Sequence, residues 1–177
     1  FAKKTLALDL EKDSEAVFAA PRLLKEEFER DHIDALITYW QFSYVLKAKG
    51  ARELISLSDV AKTLGLDPDM PLLGYVFSER LAKTHQGIAT KLAQASHAAK
   101  MILAKDDAEW TRLKPLMNVE TDQDVEALKA GFRAGIPAPT MPNKASAERL
   151  LRALTEGGDT NLKGETATLA PGTFAEF

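Results

Sequence analysis

Short apolar runs alternate with longer amphipathic segments along the first eighty residues. Four runs are apolar and bounded by polar residues or turn formers, which predicts buried β-strands at 16–20, 34–40, 52–57 and 72–79. Between them, charged and apolar residues recur at helical spacing, which predicts helices at 22–31, 41–50 and 58–66. Strands that alternate with helices over short connections predict a mostly parallel sheet covered by helices.

Residue types at the ends of these segments support the predicted helices. Pro21 suits a first helical turn, where its missing N–H would have no partner anyway. Ser58 is a plausible N-cap, and Gly50 is placed to end the preceding helix. Further along, Thr121 with Asp124 three residues later predicts an N-cap of the capping-box kind.

The pattern changes near residue 79, beyond which almost every periodic segment is helical. Helices are predicted at 87–106, 107–117, 121–135 and 143–158, with the second interrupted at Pro115. Residues 136–142 are proline-rich and read as an extended linker, and residues 159–177 have the composition of turns.

Composition places the chain among globular proteins and removes several kinds of chemistry. Hydrophobic residues make up 45% of the 177 residues and charged residues 28%. The net charge of −3 does not favour a nucleic-acid partner. The absence of cysteine from this sequence excludes disulfides, thiolate metal sites and cysteine nucleophiles within it. The three histidines are scattered and no phosphate-loop or nucleophile motif occurs, so we predict no catalytic residue, no metal site and no cofactor.

The end of the second predicted strand is a candidate binding site. Tyr39, Trp40 and Gln41 come together there, and ligands of open α/β sheets bind outside the carboxyl ends of the strands. The indole offers a flat apolar wall, and the amide offers both a donor and an acceptor. The alternative is that Trp40 belongs to the core.

A second candidate lies where the first predicted strand runs into a helix. Ala19 and Ala20 are small, and with Pro21 they would let a ligand approach free backbone N–H groups at a helix N-terminus, which favours an anion. A plain tight turn is an equal alternative. The nearby Glu26, Glu27 and Glu29 are interpreted as a charged helix surface.

Several long segments resemble one protein family. The runs at 34–66, 71–85 and 99–117, followed by LAPGTF at 169–174, are similar in order and spacing to the substrate-binding proteins of bacterial ABC importers. The similarity is greatest to the nitrate, sulfonate and taurine group, which is related to thiamine-precursor binding proteins.

This resemblance implies a fold and a domain arrangement. The fold would be α/β, a lobe of the periplasmic-binding-protein type II kind with a mostly parallel sheet, followed by a helical C-terminal part. Residues 1–71 would be most of the second lobe, 72–79 a hinge strand, and 80–177 a helical segment packed on or beside the first lobe. The chain would then be a C-terminal fragment, because segments matching the first lobe are not in it.

The resemblance also implies a function. Such proteins are not enzymes; they capture a small solute by hinge closure and deliver it to an ABC permease in the inner membrane. The solute would be an organic anion such as a sulfonate, and the location would be the periplasm, although this chain carries no export signal. Trp40 would contact the solute, the turn at Ala19, Ala20 and Pro21 would supply backbone donors, and Gly74 and Tyr75 would lie near the cleft.

Two alternatives and one consequence follow. An enzyme on the same fold, desulfinase-like or thiamine-precursor-forming, is disfavoured because such relatives use cysteine or clustered histidine. The second alternative is a sensor or interaction domain built from a binding-protein lobe, whose sequence would look the same as that of a solute-capture protein. A chain without its partner lobe is also expected to form a homo-oligomer or swap elements, which would cover the apolar residues Leu81, Ile88, Leu92, Met101 and Leu103.

Overall fold

The regular structure of this chain is helical. A computed structural model describes residues 1–70, 72–136, 144–156 and 168–174. The α-helices in these ranges are α1 (Ala2–Thr5), α2 (Leu10–Asp13), α3 (Pro21–Glu29), α4 (Trp40–Ala48), α5 (Leu57–Thr63), α6 (Glu79–Thr84), α7 (Ile88–Lys105), α8 (Asp107–Leu113), α9 (Asp122–Ala134) and α10 (Lys144–Glu156). A short 3₁₀ turn, Lys114–Leu116, follows α8.

The predicted parallel sheet is wrong, and the α/β type II lobe is wrong with it. The described residues contain no β-strand, and most of each predicted strand lies in backbone without regular secondary structure. Their apolar side chains face solvent: Phe18 is 92% exposed, Ile37 88% and Val76 96%. A strand is stable only when a neighbour satisfies its backbone groups, and a short apolar run does not identify that neighbour.

Local sequence signals predict the helix starts better than they predict strands. Pro21 is confirmed in the first turn of α3. Thr121 is confirmed as the N-cap of α9, where its Oγ1 accepts from Asp124 N at 3.1 Å and Asp124 Oδ2 accepts from Thr121 N at 3.2 Å. The prediction of Ser58 as an N-cap is wrong, because α5 begins earlier and Ser56 Oγ accepts from Asp59 N at 3.1 Å.

Helix ends and interruptions also match local chemistry. Gly50 directly follows the last residues of α4 and has a φ of 100°, a conformation that glycine adopts without strain. Pro115 lies in the 3₁₀ turn after α8, which confirms the predicted interruption. Most of the predicted linker at 136–142 and of the tail at 159–177 lies outside the described residues.

The described residues divide into two compact units. One contains residues 1–8, 55–70, 72–94, 144–156 and 168–174, and the other contains residues 9–54 and 95–136. In the first, Ser146 of α10 is almost fully buried; its Oγ donates to Asp67 Oδ2 at 3.1 Å and accepts from Arg149 Nη2 at 3.0 Å. The bond to Asp67 joins α10 to the segment that follows α5, and the bond from Arg149 lies within α10.

The second unit, which we call the α4–α9 unit, contains the buried apolar residues Val45, Leu46, Trp110 and Val125. Helices α4 and α9 pack directly on each other. The Trp110 ring meets Phe132 edge-on at 5.5 Å between centroids, and its Nε1 donates to Leu103 O at 2.8 Å. Burying the aromatic body while satisfying the indole N–H is what makes tryptophan effective in a core.

Candidate functional site

A pocket of about 670 Å³ opens in the α4–α9 unit. Helices α3 and α4 form two of its walls, and the connection 117–120 with the first turns of α9 forms another. The lining residues are Arg22, Lys25, Glu26, Glu29, Arg30, Gln41, Phe42, Val45, Lys49, Met117, Asn118, Val119, Glu120, Asp124 and Leu128. The volume lies in the range of small-molecule sites, but most of the lining residues are charged or polar, whereas typical small-molecule sites are lined mainly by apolar residues.

The α3 side of the pocket is a set of ion pairs centred on one carboxylate. Glu29 accepts from Lys25 Nζ at 2.7 Å through Oε2 and from Lys49 Nζ at 2.8 Å through Oε1. Burial raises the pKa of Glu29, but the hydrogen bonds and charges of the two lysines outweigh it and lower that pKa below its usual value. Two ammonium groups thus share one carboxylate, which leaves a surplus positive charge on this wall.

Arg22 and Lys49 also belong to the charged part of the pocket lining. Arg22, at the start of α3, pairs with Glu26 at 3.2 Å and keeps most of its side chain in solvent. The hydrogen bond to Glu29 is the main cause that raises the pKa of Lys49, with smaller contributions from the charges of Asp124 and Glu120. Lys49 therefore stays protonated, and it interacts both with Glu29 of α3 and with the charges of Asp124 and Glu120.

The first turn of α9 contributes Asp124 to the pocket lining, and this residue is only 3% exposed. Its Oδ2 accepts from Thr121 N in the capping box of α9. Its Oδ1 is buried and has no hydrogen-bond partner among the described residues. A buried carboxylate oxygen without a donor is costly, so this atom marks a place where a donor would be favourable.

The predicted residues at the start of α4 lie beside this pocket, but only one is among its lining residues. Gln41 lines it. Tyr39 is the N-cap of α4 and is exposed, and Trp40 is its first residue. Trp40 is 48% exposed, and the centroid of its ring lies 6.4 Å from that of Phe132, so the residue packs at the edge of the core and remains half in solvent.

The predicted turn at the start of α3 is also next to the pocket. Ala20 is the N-cap and Pro21 the first residue of α3, and no side chain caps this helix. Ala19 and Ala20 are exposed. Arg22, the next residue, lines the pocket. The first turns of α3 and α4 therefore both contribute to the pocket, through Arg22 and Gln41, while the binding role of Ala19, Ala20 and Pro21 stays a prediction.

The remaining predicted residues belong to the other unit. Gly74 has open space where a Cβ would stand, and Tyr75 is largely exposed. Both lie in 72–78, the part of the predicted hinge strand that has no regular structure. Neither residue is among those that line the pocket.

Several pocket residues escaped the sequence analysis. Glu26 and Glu29 were interpreted as helix surface, yet both line the pocket. The spacing of Lys25 and Glu29, four residues apart, indicated a helix ion pair but not that Lys49 would join it. Asp124 was identified only as a cap. No local signal brings residues 22–49 and 117–128 together, because that proximity comes from packing of α3, α4 and α9.

No protein-family model matches the chain, and no curated protein matches it either. Among the described residues, no helix is both long enough and apolar enough to cross a membrane. In the same part of the chain, no group of three or more histidine and carboxylate side chains is arranged to hold a metal ion.

Proposed function

We propose that this chain captures a small solute, an organic anion such as a sulfonate, for delivery to an ABC permease in the inner membrane. Two kinds of support lead to this proposal. The first is the resemblance of 34–66, 71–85 and 99–117 to binding proteins of such importers. The second, which carries the structural argument, is the pocket where the first turns of α3 and α4 meet.

The charged wall suits an anionic head group. Lys25, Lys49 and Glu29 together carry one net positive charge, and Arg22 stands at the mouth with much of its guanidinium in solvent. Arg and Lys hydrogen bonds to an oxyanion are charge-assisted and stronger than neutral ones. The apolar lining residues Phe42, Val45 and Leu128 would contact the rest of the solute.

In this proposal the chain works without catalysis. The solute binds in the pocket in the periplasm, closure around it excludes water, and the closed state is the form that the permease recognises. Gln41 supplies a directional hydrogen bond, and Trp40, one residue before it, senses binding through its partly exposed ring.

Tryptophan fluorescence tests the proposal. The chain has two tryptophans, so Trp110→Phe leaves Trp40 as the only reporter. Titration with ethanesulfonate, taurine, nitrate and a hydroxymethylpyrimidine should give a saturable change with at least one anion. Calorimetry on Gln41→Ala should show weaker binding, by roughly tenfold or more for the loss of a hydrogen bond to a charged group. Trp40→Ala removes the neighbouring ring and should also weaken binding.

Gln94→Ala is the matched control, because Gln94 is an exposed glutamine outside the pocket. It should leave affinity unchanged, and circular dichroism should show that every variant keeps its helix content. Absence of saturable binding to all four compounds would reject solute capture. Binding that is unchanged in both Trp40→Ala and Gln41→Ala would place the solute elsewhere.

A further inference from the structure

Helix α7 has an exposed row of apolar residues along one side. None of its 18 residues is buried. Ile88, Leu92 and Ile102 are 40%, 46% and 51% exposed, and Ala95 and Ala99 are exposed as well. Most helices in proteins owe their stability to packing of an apolar face, so a helix of this length without a buried residue is expected to pack on a partner.

These five residues, which we call the α7 seam, have the spacing of a helix–helix contact. They follow one another at intervals of four, three, four and three residues. This is the spacing of the contact positions of a coiled coil, in which one helix packs along another. The centre of the α7 seam is formed by Ala95 and Ala99, whose small side chains allow a second helix to approach closely.

The C-terminal end of α7 is held by side chains of two other helices. The carbonyl oxygen of Leu103 accepts from Trp110 Nε1 of α8 at 2.8 Å and from Arg133 Nε of α9 at 3.2 Å. The α7 seam therefore belongs to a helix that is anchored at one end.

The lysines of α7 lack the carboxylate partners that lysines of other helices have. Helix α7 contains no aspartate or glutamate, and Lys91, Lys100 and Lys105 form no ion pair among the described residues. By contrast, every lysine of α2 to α6, α9 and α10 lies within 4.0 Å of a carboxylate oxygen; these are Lys12, Lys25, Lys47, Lys62, Lys83, Lys129 and Lys144. At 3.6 residues per turn, Lys91 and Lys105 flank the α7 seam on one side. Acidic residues on a partner helix would complement this charge.

Two other occupants fit the α7 seam less well. Two copies of α7 packed antiparallel would place Lys91 of one copy beside Lys105 of the other, and like charges at flanking positions disfavour such a pair. A lipid surface would gain little from the two central alanines, because helices that insert into a membrane interface present large apolar residues such as Trp, Phe and Leu.

We infer that α7 is a docking surface for an acidic amphipathic helix of a partner protein. In this complex, large apolar side chains of the partner pack over Ala95 and Ala99, and its Glu or Asp side chains pair with Lys91 and Lys105. The residues of the α7 seam do not line the pocket described above, so this interaction is separate from solute capture.

A designed acidic peptide tests the inference on the intact chain. The peptide has three heptads with Leu at positions a and d, Glu at e and g, and Ala elsewhere, and its own like charges prevent it from pairing with itself. Fluorescence anisotropy of the labelled peptide should show saturable binding that weakens as salt is raised. A peptide with Lys in place of every Glu should bind at least about tenfold more weakly. Lys91→Gln combined with Lys105→Gln should reduce affinity for the acidic peptide roughly three- to tenfold, as for two exposed ion pairs.

Ala99→Lys separates close packing from charge, because it adds bulk to the α7 seam while keeping the helix positive. It should weaken binding of the acidic peptide by roughly tenfold or more. Ala93→Lys is the matched control, since Ala93 is an exposed residue of α7 outside the α7 seam. It should bind the peptide like wild type, and circular dichroism should show that both variants keep their helix content.

The inference is overturned if the acidic peptide does not bind, or if the acidic and basic peptides bind equally well. Equal affinity of Ala99→Lys and Ala93→Lys would place the peptide elsewhere on the chain. Capture of the chain by phosphatidylglycerol vesicles without binding of the acidic peptide would assign the α7 seam to a lipid surface. A mass in light scattering that falls in Ala99→Lys but not in Ala93→Lys would assign it to a second copy. Each of these three results would also reject a helical partner at α7.

Discussion

Gly131 of α9 lies directly against side chains of α4. A Cβ built on this residue would stand 2.7 Å from Tyr44 Cγ, 2.8 Å from Tyr44 Cδ2 and 3.1 Å from Trp40 Cε3. These are ring atoms held between packed helices, so they have little freedom to yield. The absence of a side chain at one residue thus sets the distance between two helices and the position of Trp40 beside the pocket.

Gly131→Ala is therefore expected to destabilise the α4–α9 unit. Overpacking costs about 1–3 kcal/mol, and the gain in helix propensity returns about 1 kcal/mol, which leaves a net loss of up to about 2 kcal/mol. Urea denaturation followed by circular dichroism measures this. Gly135→Ala is the control, since a Cβ there meets its nearest atom at an ordinary 3.4 Å. Equal stability of the two variants would contradict the close approach.

At the scale of single elements, the N-terminus of α9 makes two reciprocal hydrogen bonds. Thr121 Oγ1 accepts from Asp124 N, and Asp124 Oδ2 accepts from Thr121 N. Thr121→Ala removes the first bond and frees the start of the helix, so we expect a loss of about 1 kcal/mol in urea denaturation. Thr111→Ala, an exposed threonine inside α8, should change stability much less. If both substitutions cost the same, capping does not explain the effect.

The link between α3 and α4 through Glu29 should be sensitive to acid. The pKa of Glu29 in the folded chain lies below the ordinary glutamate value of about 4.5, which the unfolded chain keeps. The unfolded state therefore binds protons first, and the stability contributed by the ion pairs is complete above about pH 4.5 and is lost as the pH falls through the folded pKa.

Glu29→Gln tests this dependence. The variant should be less stable than wild type at pH 7 by about 1 kcal/mol or less, as for ion pairs open to solvent. The difference should shrink towards zero at pH values below the folded pKa, as measured by urea denaturation across the range. Glu15→Gln, at an exposed residue without an ion pair in the described residues, should show no such convergence. A constant gap at all pH values would rule out the ionised pair as the cause.

Local signals and long-range pairing differ in how well the sequence predicts them. Pro21 and Thr121 identified helix starts because a missing N–H or a side-chain oxygen acts on its own turn. The runs at 16–20 and 72–79 were predicted as strands on composition alone, but a strand depends on a partner that no local pattern specifies. Gln41 was found because it follows an apolar run, whereas Asp124 joins the site only through packing of α9 on α4.

At the scale of the whole molecule, the most exposed apolar side chains belong to segments without regular structure. Phe18 and Ile37 lie in one unit, and Leu73 and Val76 in the other. Full burial of one such side chain contributes about 1.5–3 kcal/mol, so several together favour association. The described helices leave Leu81, Ile88 and Leu92 partly exposed as well. We therefore expect the chain to self-associate as its concentration rises.

Val76→Lys provides the direct test of this association. Light scattering coupled to size-exclusion chromatography should give the wild-type chain a mass that rises above 19.4 kDa with concentration, and the variant should stay closer to that value. Lysine also reduces the net charge of −3, which by itself would favour association, so the expected change opposes the charge effect. Gln86→Lys makes the same charge change at an exposed polar residue and should associate like wild type. A wild-type chain that stays at 19.4 kDa at every concentration would show that these side chains do not associate with a second copy.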